Sequence, residues 1–334
     1  MSAICPQQHE TMPPMESRPW TLQDDNDFFA AHGSETSLGT DLSGAIRDPR
    51  AFPQIAANQL RLLRVAAAMT APVLWIQALG VISDNHQCKA YFDVSTGLIG
   101  INQRVAKALE LALSPGLESP TDPKFAALQL LPHELRDLKR ALGAVLHEIT
   151  HGGGGPDRGT FVRERLATHD DPRARAFLEG ATEAKVARDL DLFISRLGLD
   201  HVMSGLVESQ YRQHYPLESS FVSKLFDHLG PRCGTSGGNL LDSFVAQGCS
   251  LRALTDIVAA TLPNRGQAVP ALLDSAVETV LAGLESAGDR LRRSQHLRDF
   301  DEVEIQIGRA AAKATAVALS TLTVGRGAHR LVSA

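Results

Sequence analysis

The chain has 334 residues, with 33 lysines and arginines against 38 aspartates and glutamates for a net charge of −5. That length fits one large domain or two modest ones, and the acidic balance excludes a broad nucleic-acid or anionic-membrane footprint. No run approaches the roughly 18 consecutive apolar residues of a membrane span, and the first ten residues lack the basic and apolar regions of a secretory signal. Four cysteines, Cys5, Cys88, Cys233 and Cys249, are too scattered for a disulfide framework or a paired-cysteine metal site. The expectation is a soluble protein of a reducing compartment, cytoplasmic or exported by a route other than Sec.

In chain order, residues 1–50 carry Pro6, Pro13, Pro14, Pro19 and an acidic cluster without periodicity, and read as a flexible or loosely packed leader. Apolar residues at Ile55, Leu60, Leu62, Leu63 and Val65 predict a helix over 52–69, stopped by Pro72. Val73–Ile76 and Leu79–Ile82 are β-prone, and Ala90–Val94 with Leu98–Asn102 reads as strand, turn, strand. Beyond Lys107 the pattern is helical. One helix starts at Pro132, suited to the first helical position, and runs into Gly152–Gly155. A second opens on Asp170-Asp171-Pro172 and reaches Gly198. Amphipathic stretches follow near 217–229, 242–262, 271–291 and 300–322. The fold class expected is α+β and mostly helical: a small N-terminal sheet, an active-site helix and a helical C-terminal layer. The organisation expected is a leader (1–50), a catalytic domain (51–230) and a helical C-terminal region (231–334).

The first of the two helices contains His147-Glu148-Ile149-Thr150-His151, an H-E-x-x-H pattern. Residues four apart on a helix lie one above the other, so both imidazoles can hold one metal ion. Glu148 is turned about 100° from His147 and stands beside the metal, where a carboxylate can take the proton of a zinc-activated water. Chance predicts roughly 0.02 such matches in a chain of this length and composition, and an apolar helix with two uncompensated histidines and a glutamate is costly. On the second helix Glu179 and Glu183 are again four apart, on a face otherwise of Ala and Gly suited to close approach.

The H-E-x-x-H motif followed by Glu179-Gly180-Ala181-Thr182-Glu183 resembles the gluzincin class of zinc metallopeptidases, over roughly residues 72–229. The resemblance implies a zincin-like core, one Zn2+ per chain held by His147, His151 and Glu179, and Glu148 as general base. It also implies that Glu183 hydrogen-bonds a ligand histidine and fixes its tautomer, and that an edge strand over the cleft pairs with an extended substrate. A hydrolase of this type needs a donor for the oxyanion; among Tyr211, His214 and Tyr215, Tyr215 is the first choice.

A second resemblance competes. His147 to Asp157 also reads H-E-x-x-H-x-x-G-x-x-D and is similar to the metzincins, which would make Asp157 the third ligand and place Met203 beneath the metal. Gly occupies all of 152–155, so the match at Gly154 has little weight, and Glu179 and Glu183 would lose their role. Cys233, in Pro231-Arg232-Cys233-Gly234, follows the motif helix and is read as a loop residue, not an inhibitory propeptide cysteine. The function expected is hydrolysis of peptide bonds in a protein or peptide substrate. Two alternatives are a zinc hydrolase acting on a non-peptide amide or ester, and a non-catalytic zincin-like binding protein.

Overall fold

Among the described residues, three short strands and a set of helices that carries most of them make up the protein in a computed structural model. It describes residues 62, 65, 66, 68–70, 76, 78–82, 90–94, 97–112, 130–154, 158–261, 270–293 and 305–320. Strands β1 (Ala78–Ile82), β2 (Ala90–Asp93) and β3 (Leu98–Asn102) form one sheet in the order β1-β3-β2. β2 and β3 are the expected antiparallel pair, with Phe92 opposite Ile99; β1 runs parallel to β3, with Gly80 opposite Gly100, and leaves β2 at an edge. The expected leader, Cys5, Cys88 and Asp157 lie outside the described residues. Of the helix expected over 52–69, the described residues from 62 to 70 are helical, and Leu62, Val65 and Ala66 are buried.

Helix α1 (Gln103–Ala112) leaves the sheet directly, its N-terminus marked by Asn102 Oδ1 accepting from the Val105 N–H at 2.9 Å. Helix α2 (Pro132–His151) begins where expected. Pro132 occupies the first turn, and Glu134 reaches back to accept from the Leu131 N–H at 2.8 Å. After α3 (Arg158–Asp170), α4 (Pro172–Arg196) is capped by Asp171, whose Oδ1 accepts from the Arg173 N–H at 2.8 Å. Gly198, at φ 72°, ends this segment. A short α5 (Leu199–Val202) and an irregular stretch lead to α6 (Pro216–Leu229) and a 3-10 turn over Gly230–Cys233. Cys233 therefore closes a turn of helix and is not in an open loop.

The stretch expected to be amphipathic over 242–262 is two helices, α7 (Gly237–Ala246) and α8 (Leu251–Ala260). The break lies at Gly248 and Cys249, with φ of 81° and 50°, and Ser250 then caps α8 by accepting from the Ala253 N–H at 3.1 Å. Helix α9 (Pro270–Arg293) and helical residues 305–320 complete the C-terminal layer. Among the described residues no helix is long and apolar enough to cross a membrane.

Two apolar clusters result. The first gathers Leu62, Val65, Ala66 and Met69, β3, α1, α2, α5 and the later half of α4, through Val186, Leu190, Phe193 and Ile194. The second gathers α6 to α9, residues 307–318 and the earlier half of α4, through Ala174, Phe177, Leu178, Ala181 and Ala184. Helix α4 belongs to both. At Gly180 it meets α6 backbone to backbone, since a Cβ there would lie 2.6 Å from the Glu218 carbonyl carbon. Glycine is required by that approach, and it stands next to Glu179.

Candidate metal centre

The faces of α2 and α4 that carry the two i,i+4 pairs meet. Three atoms converge: His147 Nε2 and His151 Nε2 are 3.0 Å apart, and each is 3.1 Å from Glu179 Oε2. The three residues are buried, with exposures of 3%, 6% and 8%. Among the described residues they are the group of His, Cys, Asp or Glu side chains that could hold a metal ion.

The outer contacts set the protons. His147 Nδ1 is 2.9 Å from Glu183 Oε2, so Nδ1–H donates to the carboxylate and Nε2 turns a lone pair inward. His151 Nδ1 lies 3.4 Å from the Thr182 hydroxyl. Two imidazole lone pairs and a carboxylate oxygen aimed at one point repel one another unless a cation or a proton stands among them. Glu183 is fully buried, and its other oxygen accepts from the Tyr211 hydroxyl at 2.9 Å and from the His214 backbone N–H at 3.1 Å. Tyr211 can lie there because Gly143, one turn before His147, has no side chain: a Cβ would come within 2.9 Å of Tyr211 Cζ.

The titration behaviour of the bare site follows from these contacts. Burial opposes charge on His147, but Glu179 and Glu183 outweigh it and hold the imidazole up at about 10. Burial also opposes charge on Glu179, yet the two imidazoles keep it far below the usual carboxylate range. Burial pushes Glu148 up to about 7 against the pull of His147, and brings His151 down to about 4.

His147, Glu148, His151 and Glu179 line a cleft of about 690 Å³. The edge strand β2 contributes Ala90, Tyr91 and Phe92 to its wall, and the Phe92 backbone N–H donates to Glu148. Tyr215 is also in the wall, its ring stacked on His147 at 5.8 Å between centroids and 26° between planes. Burial raises its hydroxyl to about 12, so it is a donor at neutral pH. Tyr211, with His214 the second choice for oxyanion donor, is instead committed to Glu183. That role was within reach of the sequence only as a tyrosine in the right segment.

Gly154 is described, at φ 100° and packed against Gly248, but Asp157 is not, so the alternative third ligand lies outside the described residues. Met203 is buried in the first apolar cluster. A further polar residue of the cleft had no sequence signal: Arg165 of α3, 1% exposed, donates from Nη2 to the His151 carbonyl at 2.6 Å. No protein-family model matches this chain, and no curated protein and no solved structure is significantly similar to it.

Proposed function

We propose that the protein is a zinc-dependent metallopeptidase of the gluzincin type, with a zincin-like core, ligands His147, His151 and Glu179, and Glu148 as general base. The observation that carries this reading is the triangle of three buried donor atoms with Glu148 beside it in one open cleft. Zinc bonds of 2.0–2.1 Å in tetrahedral geometry place donor atoms about 3.3 Å apart, and the 3.0–3.1 Å triangle is within a few tenths of that. Two imidazoles and a carboxylate are also the donor set of catalytic zinc, whereas structural zinc is closed by four protein ligands.

Bound zinc supplies a Lewis acid that makes water acidic near neutral pH. The Glu148 carboxylate takes the water's proton as the oxygen attacks the peptide carbonyl, and returns a proton to the leaving amine. The Tyr215 hydroxyl donates to the oxyanion. Tyr211 and the His214 N–H hold Glu183, which holds the His147 tautomer. β2, an edge strand along the cleft, aligns an extended substrate.

The test is elemental analysis joined to a casein digest. Zinc-supplemented protein is expected to hold close to one zinc per chain and to cleave casein until a chelator is added. Glu148→Gln should keep its zinc and lose on the order of 10² or more in rate. Zinc below about 0.2 per chain, or undiminished cleavage by Glu148→Gln, would overturn the proposal.

A further inference from the structure

The wall of the cleft and the chain as a whole have opposite charge. The chain carries a net −5, yet the cleft is lined by Arg140, Arg175 and Arg212, with Arg165 beneath. Among the described residues the carboxylates of the wall are Glu148 and Glu179, which at most offset a bound divalent ion. Arg165 adds positive potential but no contact, since it is buried and holds the His151 carbonyl and Cys249. The cations that a ligand can reach are Arg175 and Arg212, both exposed, and Arg140, half-buried.

These three are not taken up by the protein's own carboxylates. Arg173, two residues before Arg175, is fastened to Asp171 at 3.4 Å and Glu278 at 3.0 Å. Arg175 and Arg212 have no ion-pair partner among the described residues. Arg140 is 3.8 Å from Asp137, which Arg104 holds more closely at 2.9 Å. The charge of Arg175 acts on Tyr215 and His169, two other residues of the wall, so its guanidinium stands at the cleft.

Their placement follows from the helices. α2 and α4 run antiparallel, as Lys139 meets Asp191 at 2.7 Å, His147 meets Glu183 at 2.9 Å and His151 meets Glu179 at 3.1 Å. Arg140 stands two turns before His147, about 10 Å along α2, and Arg175 stands one turn before Glu179, about 6 Å along α4. On antiparallel helices these steps lead in opposite directions from the candidate metal centre. Arg212 follows Tyr211, whose ring packs at Gly143, and so belongs to the Arg140 end. A cleft with unpaired cations at both ends concentrates anionic ligands and repels cationic ones.

We propose that the cleft selects peptides with an acidic side chain on each side of the bond to be cut. Arg175 takes the carboxylate at one end, and Arg140 with Arg212 takes the carboxylate at the other. The bond to be cut rests on the peptidase reading; the preference for acidic peptides rests on the placement of the three arginines.

Binding is measured apart from cleavage. Dansyl-labelled, C-amidated Ala/Gly decapeptides carry two Glu, two Gln or two Lys six residues apart, about 20 Å in an extended chain. They are titrated against zinc-loaded full-length Glu148→Gln and followed by anisotropy. The Glu peptide should bind about 5-fold more tightly than the Gln peptide, and the Lys peptide more weakly than either. The preference should shrink to within about 2-fold in about 1 M salt, where charges are screened beyond ~3 Å. Adding Arg140→Gln, Arg175→Gln and Arg212→Gln together should bring all three peptides within about 2-fold. Arg175→Gln with Arg212→Gln alone, both at exposed positions, should at least halve the preference. In digests of a peptide mixture by the parent chain, cut sites should be enriched in Asp and Glu on both sides. Arg175→Gln should relax one side and Arg140→Gln the other.

Equal binding of Glu, Gln and Lys peptides overturns the proposal. So does a Glu preference that survives loss of all three arginines, since the metal alone would then explain it. Relaxation of the same side by both single variants overturns the two-ended placement. Charge-selective binding with no digestion by the parent chain would remove the peptidase reading and leave the acidic ligand standing; digestion without charge preference would do the reverse.

Discussion

Helix α4 carries two ionic groups within three turns, one at the surface around the buried Lys185 and one buried, and they resolve their charge in opposite ways. At Lys185, Arg188 and Asp189 the balance is internal. Lys185 Nζ is 2.5 Å from Asp189 Oδ2 and 2.8 Å from Asp242 Oδ1, Arg188 Nε is 2.7 Å from Asp189 Oδ1, and Arg188 also reaches Asp242. Two cations meet two carboxylates, and the group fastens α4 to α7. At Glu179 and Glu183, together with Glu148, three carboxylates face two imidazoles, with no lysine or arginine paired to them among the described residues. The first group is complete as a piece of structure. In the second a proton held on His147 supplies positive charge in the bare site, and a cation could take its place there, which the first group does not offer.

The contrast predicts a ranking. Glu179→Ala removes one of the three proposed ligands and should weaken zinc binding by more than the ~100-fold ceiling usual for supporting residues, measured by chelator competition. Glu183→Ala leaves the ligands in place but frees the His147 ring, and a loss of roughly 10- to 100-fold is expected in the same assay. Equal losses in both variants would mean that Glu183 is itself a ligand. Tyr215→Phe should lower turnover while zinc content and substrate affinity stay as they are, because a hydroxyl used on the developing oxyanion is silent in the ground state.

Asp189→Asn should leave zinc affinity unchanged and cost about 1–3 kcal/mol of stability in a urea melt. A change in zinc affinity there would show that the two groups on α4 are not independent. The pH dependence has a definite sign. Burial opposes the charge on Asp189, but Arg188 and Lys185 outweigh it and lower its pKa. A depressed carboxylate contributes stability that is full above the ordinary aspartate value of about 4 and is lost as pH falls below it. The stability gap between parent and Asp189→Asn, both with zinc removed, should therefore be flat near neutrality and shrink below about pH 4.

How much of this was legible in the chain depends on whether a residue sits in regular structure. His147 and His151, and Glu179 and Glu183, could be paired because a four-residue step on a helix places both side chains on one face, and because Pro132, Asp171 and Gly198 mark where those helices start and stop. The parts set by tertiary path were not legible. Tyr211 and Tyr215 lie close together in and beside an irregular stretch, and only the course of that stretch sends one to Glu183 and the other over His147. The break between α7 and α8 was hidden because apolar positions continue across it and its second left-handed residue is Cys249 rather than glycine. Arg165 reads as a surface arginine of a polar helix; its burial comes from Phe161, Cys249 and the end of α2, which are distant from one another along the chain or face it only after folding.

Helix α4 has one further consequence through its membership of both apolar clusters. His147 and His151 come from a helix rooted in the first cluster, while Glu179 stands on the half of α4 rooted in the second. An ion held by all three is a cross-link between the two halves of the molecule, closing a loop between residues 151 and 179 much as a disulfide would. Cooperativity of unfolding then becomes a property of the ligand set. With the ion in place the two clusters should melt together, and without it backbone amides of α6 to α9 should exchange with solvent on a different timescale from those of α2.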